Sequence, residues 1–156
     1  KYEISEDMIA KVGNLGGPSI QGSSRGPDKP VSLITWLEAA SFVNWLNTST
    51  GNSVAYKFNG NDFELWQAGD TGFDATNPYR NSLAKYFLPS ADEWYKAAFY
   101  DPTTNTYYDY ATGSNTTPEN VPFGTLPNTA VYGQPFSSTP PAGFGKTCPT
   151  PQFPAA

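Results

Sequence analysis

Two capping boxes fix where this chain must be helical. Thr35 stands three residues ahead of Glu38, and Ser90 three residues ahead of Glu93, each pair at the start of an apolar run. In such a box the hydroxyl accepts from a first-turn amide while the carboxylate accepts from the cap amide, so two donors with no partner inside the helix are satisfied together. Trp36, Ala39, Ala40, Val43 and Leu46 then share one face, and Gly51 supplies a stop. Beyond Ser90 come Trp94, Ala97, Ala98 and Phe99, with Asp101-Pro102 ending the run. An earlier helix follows Ser5 as cap, with Met8, Ile9, Val12 and Leu15 at helical spacing up to Gly16-Gly17.

The rest of the chain reads as short strands and long loops. Val54–Phe58 predicts a strand, Asn59–Asp62 a turn and Phe63–Trp66 its hairpin partner. Gly69–Asn81 is a polar loop, and Thr106–Tyr110 predicts an edge strand after a Thr103–Asn105 turn. From Ala111 onward the only charged residues are Glu119 and Lys146, and nine of the fifteen prolines fall there. Proline at that density removes backbone donors, so the segment is expected to be extended and loop-rich. The boundaries are a domain over 1–139 and a proline-rich tail over 140–156. The fold class is therefore α+β, with two to three helices, few strands and an irregular backbone held by its many Asn, Ser, Thr and Tyr side chains.

Several chemistries are closed by what is missing. The 156 residues contain no histidine and one cysteine. That excludes a Ser–His–Asp triad, a Cys–His dyad, histidine-bound zinc or haem, an internal disulfide framework and a four-cysteine cluster. A net charge of −5 provides no basic excess to neutralise phosphates, so no nucleic-acid partner is expected. No apolar run approaches the length of a membrane span, and residues 1–4 carry no signal-peptide core; any export signal is expected outside this chain.

Few residues remain that could carry a site. Asp70, Asp74 and Asn77 offer oxygen ligands at spacings that suit calcium, with Asp62 and Glu64 nearby, although the loop lacks the glycine and closing glutamate of an EF-hand. The competing reading is a solvated turn whose side chains cap their own backbone. Tyr100, Tyr107, Tyr108 and Tyr110 around Asp101 and Asp109 have the composition of a sugar-stacking surface, with Tyr107, Tyr108, Asp109 and Tyr110 as its binding candidates, against core packing as the ordinary use of such rings. Cys148 has neither a base nor a second thiol for nucleophilic or redox chemistry and reads as a free thiol, or as one end of a bridge to another chain. Glu38, Asp92 and Glu93 are assigned to helix starts rather than to acid–base catalysis. Asn47-Thr48-Ser49 and Asn115-Thr116-Thr117 match the N-glycosylation triplet, and Arg25–Lys29 is a turn without an assigned role.

One segment points further. Phe87-Leu88-Pro89-Ser90-Ala91-Asp92-Glu93-Trp94-Tyr95-Lys96-Ala97-Ala98 closely resembles the "R-L-P-T-E-x-E-W-E-x-A-A" signature of the formylglycine-generating enzyme (sulfatase-modifying factor) family. The stretch Pro30–Leu46 resembles that family's "P-V-x-x-V-S-W-x-D-A-x-A-[FY]-x-x-W-L" helix, and Lys1–Ser5 its opening "K-Y-E-V-T". Tyr100–Ser114 is similar to a bacterial branch found on secreted, surface-sorted proteins. The resemblance covers about residues 1–136 and implies a C-type-lectin-like fold. It also implies an oxygen-using activity on sulfatase cysteines through a copper ion held by two late cysteines.

The late motifs "G-N-V-W-E-W" and "R-G-G-S-W" and the cysteine pair have no counterpart in this sequence, so no active-site residue carries over and copper is not expected. The resulting expectation is a non-catalytic binding or structural module, secreted or surface-associated, corresponding to the N-terminal portion of such a domain. The alternative is a fragment or relic of the oxidase. In either case, apolar surface around Trp36, Trp45 and Trp94 is expected to be covered by self-association or by a second protein chain.

Overall fold

Ser5 caps the first helix, its hydroxyl accepting from the Met8 amide at 3.2 Å, and α1 runs over Glu6–Asn14. Gly16, at φ +80°, and the Gly17 amide bonded to Val12 O at 2.9 Å close it. Only Ile9 and Val12 are buried; Met8 and Leu15, expected on the same apolar face, are exposed. The computed structural model describes residues 4–22, 24–121, 126–130 and 132. Residues 1–3, the stretch 140–156 and Cys148 lie outside them. The chain forms two units, one from Ile9–Gly22 and Ser32–Leu88, the other from the described parts of Lys1–Met8, Ser23–Val31 and Pro89–Ala156.

The first unit is built on α2, Trp36–Ser49, which carries the complete Thr35–Glu38 capping box. Ala40 and Val43 of α2 and Ala55 and Tyr56 form its buried centre, surrounded by Phe42, Phe58, Phe63, Ala84, Tyr86 and Leu88. Trp36 meets Tyr56 and Phe63 edge-on, each at 5.1 Å between centroids. The hairpin pairs β1, Lys57–Asn59, with β2, Asp62–Glu64, across the two-residue loop Gly60-Asn61. Gly60 at φ +64° takes the first loop position, where a left-handed residue matches the twist of the strands.

Strand β1 starts three residues later than the apolar run predicts, for a physical reason. The Asn44 side chain of α2 accepts from the Ala55 and Tyr56 amides, both at 2.9 Å, and donates to Tyr56 O at 2.7 Å. Those backbone groups are spent on the helix and are not offered to a ladder. Asn47, one turn along α2, does the same for residues 85–86 and is fully buried. The Tyr56 hydroxyl then holds Leu88, accepting from its amide at 2.7 Å. Asn81, also buried, completes the set by donating to Thr71 O and accepting from the Leu83 amide.

In the second unit, Val31 N donates to Ile4 O at 2.8 Å, and the Glu6 carboxylate accepts from the Arg25 and Gly26 amides. The Arg25–Lys29 turn is thus tied to the start of α1. Helix α3 covers Ala91–Phe99 with its Ser90–Glu93 box intact, and none of its residues is buried. It continues directly into β3, Tyr100–Asp101, which pairs antiparallel with β4, Thr106–Tyr107. The edge strand predicted over Thr106–Tyr110 stops at Tyr107: the Tyr108 amide still bonds to Phe99 O in the same register, but Phe99 is the last residue of α3 and offers no further strand, and Tyr110 closes a bridge to Ser114 instead. Within the proline-rich region β5, Glu119–Asn120, and β6, Thr129–Ala130, form a short parallel pair.

Candidate functional site

An exposed aromatic face dominates the second unit. Tyr95 of α3 stacks on Tyr107 of β4 with centroids 5.4 Å apart and planes 19° from parallel. Phe99 lies beneath Tyr95 and Trp94, at 4.8 and 5.7 Å, and Tyr100 tilts against Tyr107 at 5.0 Å. Trp94 is 57% exposed and Tyr95 and Tyr107 each 49%, while Phe99 is half-buried, so about half of the ring surface of the array meets solvent. Helical spacing brings this about: Tyr95 and Phe99 are four residues apart on one face of α3, and the β3–β4 pairing returns Tyr107 beside Tyr100. Polar groups fringe the rings. The Tyr100 hydroxyl donates to Asn105 Oδ1 at 2.6 Å, and Lys96 Nζ sits 5.5 Å over the Tyr100 ring. Beside them a shallow depression is lined by Pro89, Ser90, Asp92, Trp94 and Tyr95.

The residues assigned to a sugar-stacking surface are therefore divided. Tyr107 and Tyr100 belong to the open array, together with Trp94, which the sequence reading placed on the helix face and on apolar surface for a partner chain to cover, and Tyr95, which it assigned no role. Tyr108 is half-buried, its amide on Phe99 O. Asp109 and Tyr110 line a separate cavity of about 380 Å³ in the same unit. The signal for Trp94 and Tyr95 was present in the sequence as two adjacent large rings early in a short helix. A short helix cannot bury every ring around its circumference.

In the first unit the residues proposed for calcium already have partners. Asp70 Oδ2 accepts from Lys57 Nζ and from the Gln67 amide, both at 2.8 Å. Asp74 Oδ1 accepts from the Thr76 hydroxyl at 2.7 Å and its amide at 2.8 Å. Asp74 and Asn77 line a polar cavity of about 320 Å³ with Arg80 and Ser82; Asp70 does not. In each aspartate these bonds fall on one carboxylate oxygen, Oδ2 of Asp70 and Oδ1 of Asp74. Both carboxyls are held below their ordinary range, Asp70 by the Lys57 ammonium first and Asp74 by the Thr76 hydroxyl first. Among the described residues no three His, Cys, Asp or Glu side chains converge as a metal-binding group.

Glu38 and Glu93 are in their capping boxes, accepting from the Thr35 and Ser90 amides at 2.7 and 2.8 Å. Of the two glycosylation triplets, only Asn115 is exposed; Asn47 has no accessible surface.

Residues 6–146 match the profile of the sulfatase-modifying factor enzyme 1-like domain. No curated protein and no solved structure matches the chain.

Proposed function

This chain belongs to the sulfatase-modifying factor enzyme 1-like family, whose fold is C-type-lectin-like, and we propose that it works as a non-catalytic binding module that stacks saccharides on the aromatic face of α3 and the β3–β4 hairpin. The observation that carries this reading is the open array of Trp94, Tyr95 and Tyr107 over the Phe99 anchor. The C–H face of a pyranose is apolar and packs on an exposed ring, while its hydroxyls need polar partners at the ring's edge. Asp92, Ser90 and Asn105 stand at those edges. Pre-stacking of Tyr95 on Tyr107 limits the side-chain entropy lost on binding. Secretion or surface attachment, where such ligands are met, belongs to the same proposal. No helix among the described residues is long and apolar enough to cross a membrane.

The donor set of this sequence does not fit the copper ion that the family resemblance implies. Two thiolates are required, and these 156 residues contain one cysteine. Oxygen uptake with copper(I) and a cysteine-containing sulfatase peptide is the corresponding test. The expected result is no formylglycine above that formed with copper alone; turnover would overturn the non-catalytic reading.

A second reading concerns the first unit, where Leu33, Trp36 and Leu37 are exposed together at the start of α2. Association with a second copy or another protein would cover them. Light scattering over a range of concentrations is expected to show a species heavier than one chain, and a strictly monomeric protein would exclude self-association.

A further inference from the structure

The cavity that takes Asp109 and Tyr110 is not used by the saccharide reading, and its chemistry is distinctive. Phe99, Tyr110, Tyr132, Pro118 and Ala130 give it a carbon lining around about 380 Å³. The tyrosine hydroxyls are already engaged: Tyr110 with the Thr117 hydroxyl at 3.0 Å, Tyr132 with Pro118 O at 2.9 Å. The Thr112 hydroxyl is likewise given to Asn128 Oδ1 at 2.8 Å. What these side chains have left to present is ring and methyl carbon.

Among the described residues lining this cavity, Asp109 is the only charged one. It is exposed, and its backbone amide is held by Asn115 Oδ1 at 2.9 Å. Among the described residues its carboxylate has neither a hydrogen bond nor an ion pair.

Those walls select among cations. A metal ion needs several oxygen ligands, and the lining offers one carboxylate. A primary ammonium would leave N–H donors facing carbon, at a desolvation penalty. A quaternary ammonium has no donors to satisfy, presents methyl groups to the rings, and is attracted both by their electron-rich faces and by the carboxylate. The chain's net charge of −5 favours the approach of any cation. We propose that this cavity binds a small organic quaternary ammonium ion, its methyl groups against Phe99, Tyr110 and Tyr132 and its charge balanced by Asp109.

Choline and its neutral isostere 3,3-dimethyl-1-butanol, which carries carbon in place of the charged nitrogen, separate charge recognition from cavity filling. Titration of the full chain by calorimetry, with ring resonances followed by NMR, is expected to show choline binding at least about tenfold tighter than the isostere. Asp109→Asn, which retains the backbone bond to Asn115, is expected to remove most of that difference. Tyr132→Ala should abolish choline binding; if it fails to fold, Asp109→Asn alone decides. Equal affinity for the two compounds, no saturable binding of choline, or undiminished preference in Asp109→Asn would each overturn the proposal. Tyr95 and Tyr107 do not line this cavity, so either outcome leaves the saccharide face to stand or fall separately.

Discussion

The Asn47 side chain and the Tyr86 peptide are joined at both ends. Nδ2 donates to Tyr86 O at 2.7 Å, and Oδ1 accepts from Tyr86 N at 3.0 Å, as a neighbouring strand would. The same amide also donates to Val43 O and accepts from Lys85 N, both at 3.1 Å. A helix side chain therefore stands in for a β-ladder and fastens an irregular segment to the core.

Asn47→Ala should accordingly be among the costliest single changes in the first unit. It removes the partner of the part-buried Lys85 and Tyr86 amides and Tyr86 O and leaves a cavity at a fully buried site, for a loss of about 3 kcal/mol in urea unfolding. Thr48→Ala, next to it and exposed, should change stability by less than about 0.5 kcal/mol. The same burial removes Asn47 as a glycan acceptor in the folded protein. Material secreted from a glycosylating host is expected to carry glycan at Asn115 alone, as read by peptide mass spectrometry.

Two glycines with similar backbones should respond differently to alanine. Gly51 and Gly72 have φ of +76° and +83°. A Cβ on Gly51 meets open space, whereas on Gly72 it would overlap the Asn81 amide. Asn81 is buried and held by Thr71 O and the Leu83 amide, so it cannot move aside without losing them. Gly51→Ala should cost about 1 kcal/mol, from the left-handed backbone alone. Gly72→Ala should cost about 3 kcal/mol, since the displaced amide adds its own penalty.

Acid should weaken the fold only below the ordinary carboxylate range. Asp70 is held low by Lys57 and then the Gln67 amide, Asp74 by the Thr76 hydroxyl and then its amide, Glu38 by the Thr35 amide and then its hydroxyl. For Asp101 burial pushes upward but is outweighed by the Thr103 amide and the Thr104 hydroxyl. A carboxyl with a lowered folded pKa binds fewer protons folded than unfolded. Its stabilisation is thus complete above the ordinary values of 3.8 and 4.5 and lost as pH falls through the lowered ones. With no histidine in the chain, the melting temperature should be flat from about pH 5 to 8 and fall below about pH 4. Asp70→Asn should lower it at neutral pH and flatten the acid limb.

The helices were legible because their signals are local. A hydroxyl three residues before a glutamate specifies α2 and α3 whatever surrounds them, and both boxes are formed. The Val54–Phe58 strand was misplaced because its first amides go to Asn44, a partner eleven residues away that no periodicity announces. Asn44, Asn47 and Asn81 look like ordinary polar residues until the loops they hold are in place. Tyr107 was found by composition, but not its partners: Trp94 was read as apolar surface for a second chain to cover, and Tyr95 carried no signal beyond its place in a short helix. Asp109 and Tyr110 were grouped with Tyr107 by proximity in the chain, and the bend at Asp109 sends them to a different cavity.

The central claim, saccharide stacking on α3 and the β3–β4 hairpin, is tested most directly on a glycan array probed with the wild type and with Tyr95→Ala and Tyr107→Ala, each checked for folding by circular dichroism. These substitutions remove ring area from a half-exposed stack and leave the Phe99 anchor in place. The account predicts binding to a defined subset of glycans by the wild type, weakened by about tenfold or more in each variant. A folded wild type that binds no glycan, or variants that bind as well as it does, would contradict it.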